Sequence, residues 1–292
     1  MVEGPSFTLR PMGLEDVPDG LRLCRASGWN QREEDWRELL SLNPGGFLAA
    51  VTDGRVVGTG GAMRYGAGLA WVCMILVDPE SRSQGVGSRL TEEVLKRLEG
   101  VAVVGLDATP GGRPVYLKLG LREARELARF DGRAPATAPT APTAPRSTSA
   151  ARAIAAADLP AVLAWDREAF GADRAGLLRW LFTQAPEYAW CAPGAGGFDG
   201  YCFGRHGHNA EHIGPVVARQ AGVARDLVRA CLAAHPGRRF FIDVPREPPE
   251  WTSALAELGF AEQRPFTRMY RGDAKEPGRP QELFAVTGPE FG

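Results

Sequence analysis

Residues 134–150 read APATAPTAPTAPRSTSA, a run of Ala, Pro, Thr and Ser with a single Arg. Small and proline-rich side chains bury little apolar surface, so this stretch reads as an extended, partly polyproline-like linker; a surface loop within one domain is the alternative. The flanks favour the linker, because they repeat one layout. The first flank opens FTLRPMGLEDVPDGLRLC and the second ARAIAAADLPAVLAW, each a short strand, an Asp-containing turn and an amphipathic helix. GFLAAVTDGRVVGTGGAMRYG then carries Asp53-Gly54 between apolar runs, a two-residue hairpin signal. EYAWCAPGAGGFDGYCFGRHG is the counterpart in the second flank. Each copy continues with a strand, a loop, a helix, another strand (VAVVGLD, RFFIDV), a short helix and a Gly, and closes on a strand rich in Arg and Phe. The order β-α-α-β-β-β-α-β-α-β predicts two tandem α/β sandwiches, each with a central mixed β-sheet flanked by helices. The expected division is a first domain over 1–133, a linker over 134–150 and a second domain over 151–292.

The 292 residues are enough for two such domains, and a formal net charge of -1 favours neither nucleic acid nor an anionic membrane as partner. No basic patch or aromatic platform suggests nucleic-acid binding. The five cysteines are scattered and form no CxxC, so they read as reduced core residues, with neither a disulfide framework nor a metal site. MVEGPSFTLR lacks an apolar signal core and no apolar run approaches a membrane span. A soluble, cytoplasmic protein is expected.

Function must come from SRSQGVGSRL, residues 81–90, set between the strand AWVCMILV and a helix whose apolar positions Val86, Leu90, Val94 and Leu98 recur every four residues. A helix start offers unpaired amides and a positive dipole end. Gly85 and Gly87 let an anion reach them without an intervening Cβ, and Arg82 adds a charged donor. The stretch is a seat for a phosphate or pyrophosphate. It contains neither GxxxxGK[ST] nor GxGxxG.

Val77-Asp78-Pro79-x-x-Arg82-x-x-Gly85-x-Gly87-x-x-Leu90 resembles the [RQ]-x-x-G-x-[GA] pyrophosphate motif, after a strand ending V-x-P, of the GNAT superfamily of acyl-CoA-dependent N-acyltransferases. The resemblance implies acetyl-CoA as acyl donor and no metal. It implies that the strand end Ile75, Leu76 and Val77 splays from its neighbour and pairs with the pantetheine arm. The amides of Arg82, Ser83, Gln84, Gly85, Val86, Gly87 and Ser88 would hold the pyrophosphate. Tyr116, four residues before Gly120, matches the tyrosine that protonates the departing thiolate; an ordinary, partly buried tyrosine is the alternative. Thr109 stands where the family often has Asn. The glutamate that many members use as general base is replaced near Trp71. The base is then another carboxylate, a water relay, or absent because the amine arrives deprotonated; Asp107 is one candidate, with a capping or loop-organising aspartate as its alternative. Trp29, Asn30 and Gln31 lie in the loop that covers the acceptor site in this family; a core aromatic and a helix cap are the alternatives for Trp29 and Asn30.

The second copy lacks the glycine pattern and has Leu255 where Tyr116 would be, so it reads as degenerate. HGHNAEH (206–212) reads as a polar turn rather than a metal site. GPVVA, RPFTRM and FAVTGPEFG resemble the C-terminal domain of bacterial tandem GNAT proteins of the YitH-like group. In that resemblance Phe266, Arg268 and Met269 line the acceptor cleft or pack the core, and the second copy stabilises the first, shapes its cleft or forms a homodimer. The expected activity is acetyl transfer to a primary amine, on a small molecule or a peptide, by direct attack in a ternary complex. A non-catalytic acyl-CoA-binding or partner-binding regulator is the alternative.

Overall fold

The computed structural model describes residues 7–136, 151–272 and 274–292; most of the expected linker, 137–150, lies outside them, as do residues 1–6. The first copy runs β1 (Thr8–Pro11), α1 (Val17–Ala26), α2 (Glu33–Leu42), β2 (Phe47–Thr52), β3 (Arg55–Tyr65), β4 (Leu69–Val77), α3 (Val86–Arg97), β5 (Val103–Ala108), α4 (Arg113–Lys118) and β6 (Leu121–Arg133). The second runs β7 (Arg152–Ala153), α5 (Leu159–Phe170), α6 (Ala175–Gln184), β8 (Trp190–Gly194), β9 (Gly197–Arg205), β10 (Glu211–Ala218), α7 (Ala221–Ala234), β11 (Arg239–Pro245), α8 (Pro249–Glu257) and β12 (Phe260–Arg271). An eleventh element follows, β13 (Leu283–Ala285).

Local chemistry sets the elements. Asp53 and Gly54 both take positive φ (49° and 78°), the twist a two-residue hairpin between β2 and β3 needs. Along β4 the pleat sends Ala70 and Val72 to the face under α3, with Val86, Leu90, Val94 and Leu98. Trp71 and Cys73 go to the opposite face, with Leu23, Cys24, Trp36 and Leu39 from α1 and α2. The second copy repeats these layers, with α7 and α8 on one face of its strands and α5 and α6 on the other.

The closing strands are exchanged between the copies. Among the described residues the strands form one sheet in the order β1-β2-β3-β4-β5-β12-β6-β11-β10-β9-β8-β7. β12 pairs antiparallel with β5 (Met269 opposite Leu106), and β6 pairs antiparallel with β11 (Phe130 opposite Ile242). Each copy's last strand therefore completes the other copy's sheet. The exchange satisfies two edges that would otherwise present bare amides and carbonyls. It continues past β6: Ala134 is buried and its amide donates to the carbonyl of Arg238 (2.8 Å). Among the described residues only β4–β5 and β10–β11 are parallel, so the sheet is mixed.

Candidate functional site

β4 and β5 stay paired only from Leu69–Val103 to Trp71–Gly105, and then part. Beyond that point β5 is held on its other edge by β12, as far as Ala108. β4 bends here: Met74 has φ 55° and the register against β3 shifts between Thr59 and Gly61. The strand end Ile75, Leu76 and Val77 thus forms one wall of an opening. Asp78 fixes the turn that follows, accepting from Arg22 (2.6 Å), Arg55 (2.9 Å) and the Glu80 amide (3.3 Å).

The glycine turn comes next. Gly85 caps α3 in the left-handed region (φ 82°), with no atom within 4 Å of where a Cβ would stand, and a Cβ on Gly87 would touch only Val77, at 3.4 Å. Ser83 also has positive φ (63°). Arg82, Ser83, Gln84 and Gly85 are exposed, and Val86, Gly87 and Ser88 supply the first helical amides, which have no partner within α3. Bare backbone, an open approach, a helix start and the exposed Arg82 fit a pyrophosphate.

One cavity gathers most of the other candidates. Its walls include Trp29, Asn30, Gln31, Ile75, Asp107, Thr109 and Tyr116. Thr109 organises the turn into α4, its carbonyl accepting from Gly112 (3.0 Å) and Arg113 (2.9 Å). Gly112 lies against the Tyr116 ring, where a Cβ would come within 2.9 Å of it. Burial, with a smaller effect of Cys73 nearby, pushes the Tyr116 phenol up to about 12, so it is protonated at neutral pH. Asn30 is used by the second copy: its amide donates to Ala210 O (2.9 Å) and its Oδ1 accepts from the amides of Asn209 (2.8 Å) and Ala210 (3.2 Å). Gln31 is buried with its Oε1 unpartnered. Asp107 gives both oxygens to Arg268 (2.9 Å each), whose guanidinium lies over the Trp71 ring at 4.5 Å. Burial raises the Asp107 pKa against the pull of Arg268. Phe266 lines the cavity, whereas Met269 is fully buried in the core under α3.

The cavity also contains residues that spacing alone does not indicate: Arg129 from β6, Arg264 from β12, and Pro289 and Glu290. Their presence follows from the strand exchange and from Trp71, whose indole N–H donates to Pro289 O (3.0 Å). Tyr65 Oη donates to Phe291 O (2.7 Å) and fixes the same segment. Glu290 is buried; Arg205 holds its Oε1, while its Oε2 has no hydrogen-bond partner among the described residues. Glu290 falls in the segment FAVTGPEFG, but nothing in its spacing links it to the glycine turn.

In the second copy the corresponding opening, between β10 and β11, is filled by the chain itself. β13 pairs with β10 (Val216 opposite Ala285), the Val286 amide donates to Asp243 O on β11 (2.9 Å), and Trp251 of α8 donates to Phe284 O (2.8 Å). HGHNAEH spans the turn from β9 to β10; His206 pairs with Glu187 (3.2 Å) and Glu211 (2.9 Å), and burial lowers the His212 pKa to about 3.

Two family models match this chain, the acetyltransferase (GNAT) family over residues 17–121 and an acetyltransferase (GNAT) domain over 162–285. The chain belongs to the GNAT acetyltransferases and carries two of their domains in tandem. A holothin acyltransferase from Pseudoalteromonas sp. (strain SANK 73390) is 25% identical over all of this chain and 97% of its own length. The uncharacterized N-acetyltransferase YitH of Bacillus subtilis (strain 168) is 26% identical over 84% of this chain and 85% of its own. A tandem GNAT protein from the clavulanic acid biosynthesis pathway shares the fold, with a TM-score of 0.62 and 16% identity over 92% of this chain and all of that one. No helix among the described residues is long and apolar enough to cross a membrane.

Proposed function

We propose that this protein transfers the acetyl group of acetyl-CoA to a primary amine, by direct attack within one ternary complex. The observation that carries the reading is that the parted end of β4 lines one cavity with the Tyr116 phenol, through Ile75, and runs on directly into the glycine turn. The turn from Arg82 to Ser88 suits the pyrophosphate, and the free edge of Ile75–Val77 suits an extended amide-containing arm. Acetyl-CoA supplies an activated acyl carbon: the amine nitrogen bonds to it, the carbon–sulfur bond breaks, and the sulfur leaves as a thiolate. Tyr116 gives that sulfur its proton. Glu290, whose Oε2 is uncommitted, takes the proton the amine loses; Asp107, with both oxygens on Arg268, instead holds β12 to β5. Tyr116 regains a proton from solvent after release.

We infer one donor site per chain, in the first copy, because β13 fills the counterpart opening in the second. The second copy then completes the cavity by contributing Arg264, Phe266 and Glu290. Trp71, in the position of the family's base, supports the regulator reading, and the free oxygen of Glu290 opposes it. The five buried free cysteines suit a reducing compartment, and we place the protein in the cytoplasm.

Calorimetric titration of the full-length protein with acetyl-CoA, followed by thiol-release assays against an amine library, tests this. One site per chain and amine-dependent thiol release are expected. Binding without release by any amine would favour the regulator.

A further inference from the structure

The charges around the cavity are not all matched. The buried Arg205 serves two carboxylates, Asp35 (3.0 Å) and Glu290, and Glu290 Oε2 remains unpartnered. Arg129 and Arg264, also in the cavity wall, sit opposite each other across the β6–β12 pairing. Arg129 is committed, with both donors on Asp243 (2.8 and 2.7 Å). Arg264 makes no hydrogen bond or ion pair among the described residues; it lies over the Phe266 ring at 4.7 Å, half-buried, with its Nε buried and unpartnered. Burial and the adjacent Arg129 lower its pKa to about 10, which leaves it cationic at neutral pH. Asp107, also at the cavity, is neutralised by Arg268. What remains in the cavity wall is a spare carboxylate oxygen and a spare guanidinium.

An unpaired guanidinium beside a second arginine is unfavourable in a fold without a ligand, and its fork matches a carboxylate in two hydrogen bonds. A ligand carrying both charges answers both groups. We propose that the acceptor is an amine that also bears a carboxylate, the amine meeting Glu290 and the carboxylate meeting Arg264. This rests on the acyl-transfer reading and narrows it to amino-acid-like acceptors. Arg264 acts as a specificity residue, contacting the acceptor at a group that does not react.

The test uses the full-length protein, acetyl-CoA and matched amines with and without a carboxylate: glycine and glycinamide, β-alanine and its amide, 4-aminobutyrate and butylamine. The acid of at least one pair should exceed its neutral partner in kcat/KM by about tenfold or more, and the preferred chain length reports the span from Glu290 to Arg264. Arg264→Gln should lower kcat/KM for the acid by about 10- to 100-fold and leave the neutral partner within about twofold. Arg264→Lys, which keeps the charge, should retain part of the preference, and it carries the test if the Gln variant does not fold. Equal use of acids and neutral amines overturns the proposal, as does equal loss for both in Arg264→Gln, or acetylation of no acid by a protein that binds acetyl-CoA. Use of succinyl-CoA with neutral amines, abolished in Arg264→Gln, would assign the carboxylate to the donor and also overturn it. Failure of acetyl-CoA itself to bind is a separate result, seen by calorimetry before any amine is added, and strikes the acyl-transfer reading instead.

Discussion

At the scale of single residues the site depends on two proton carriers and one crowded ion cluster. Tyr116→Phe and Glu290→Gln keep shape and the Arg205 contact, so each should lower kcat by about 10²-fold while the acetyl-CoA Kd stays within about twofold. Their pH profiles should differ. The Gln variant should recover as pH rises and the amine deprotonates in solution, whereas the Phe variant should not. Equal losses in kcat and in Kd for Tyr116→Phe would end its role as acid. Asp35 gives a second prediction. Burial pushes its carboxyl up to about 6 from 3.8, opposed by Arg205, which it shares with Glu290. Between pH 4 and 6 the folded chain therefore binds more protons at this group than the unfolded chain does. Its contribution to stability falls as pH rises through that window, by an amount on the order of 1–3 kcal/mol. Asp16, Asp78 and Asp158 have lowered pKa values and push the other way, but they are common to wild type and variant. Melting temperatures at pH 4 and pH 7 should show Asp35→Asn gaining on wild type as pH rises. A constant difference between the two would mean that Asp35 is ionised throughout.

At the scale of elements the glycine turn can be tested against its own counterpart. A glutamate at Gly85 meets a left-handed φ of 82° and sets a negative charge at the open start of α3. It should abolish acetyl-CoA binding, at a cost of about 1–2 kcal/mol in stability. Gly222, in the first turn of α7, has equally open space around a Cβ, so Gly222→Glu should leave binding unchanged. Loss of binding in Gly222→Glu would place a donor site in the second copy. This turn was legible in the sequence because everything it needs is local: a strand, a Pro stop, two glycines and an amphipathic helix within a few turns of chain. The order of elements was legible for the same reason, as was the Asp53-Gly54 hairpin. Asn30 was not: it sits in the expected loop, but its amide is spent on the 209–210 turn of the second copy. The partner of Asp107 is likewise not legible, because Arg268 reaches it only through a strand pairing set by the exchange. Periodicity shows which face of a strand is buried; it does not show which strand lies alongside.

At the scale of the whole molecule the exchanged strands make the two copies one structure. β12 lies between β5 and β6, and β6 lies between β12 and β11, so a cut between the copies strips each sheet of the strand that completes it. The core beneath β4 also crosses over, combining Leu23, Trp36 and Trp71 with Phe170, Leu177, Tyr270 and Phe291. Buried ion pairs cross too: Arg205 with Asp35, and Arg268 with Asp107 (2.9 Å). Removing either half leaves charged partners without their counterions, a loss on the order of 3–5 kcal/mol for each broken pair. Residues 1–136 produced alone should therefore not yield a folded monomer, and residues 151–292 alone should fare no better. Produced together from separate messages, the two pieces should associate and bind acetyl-CoA once per pair. The intact chain should show a single calorimetric unfolding transition in which acetyl-CoA raises the melting temperature of the whole. A folded, monomeric first half that binds acetyl-CoA by itself would mean that β6 can return to β5, and that the second copy is dispensable for the donor site. Loss of amine transfer in that fragment, with donor binding retained, would then isolate what the second copy contributes: Arg264 and Glu290 in the cavity wall.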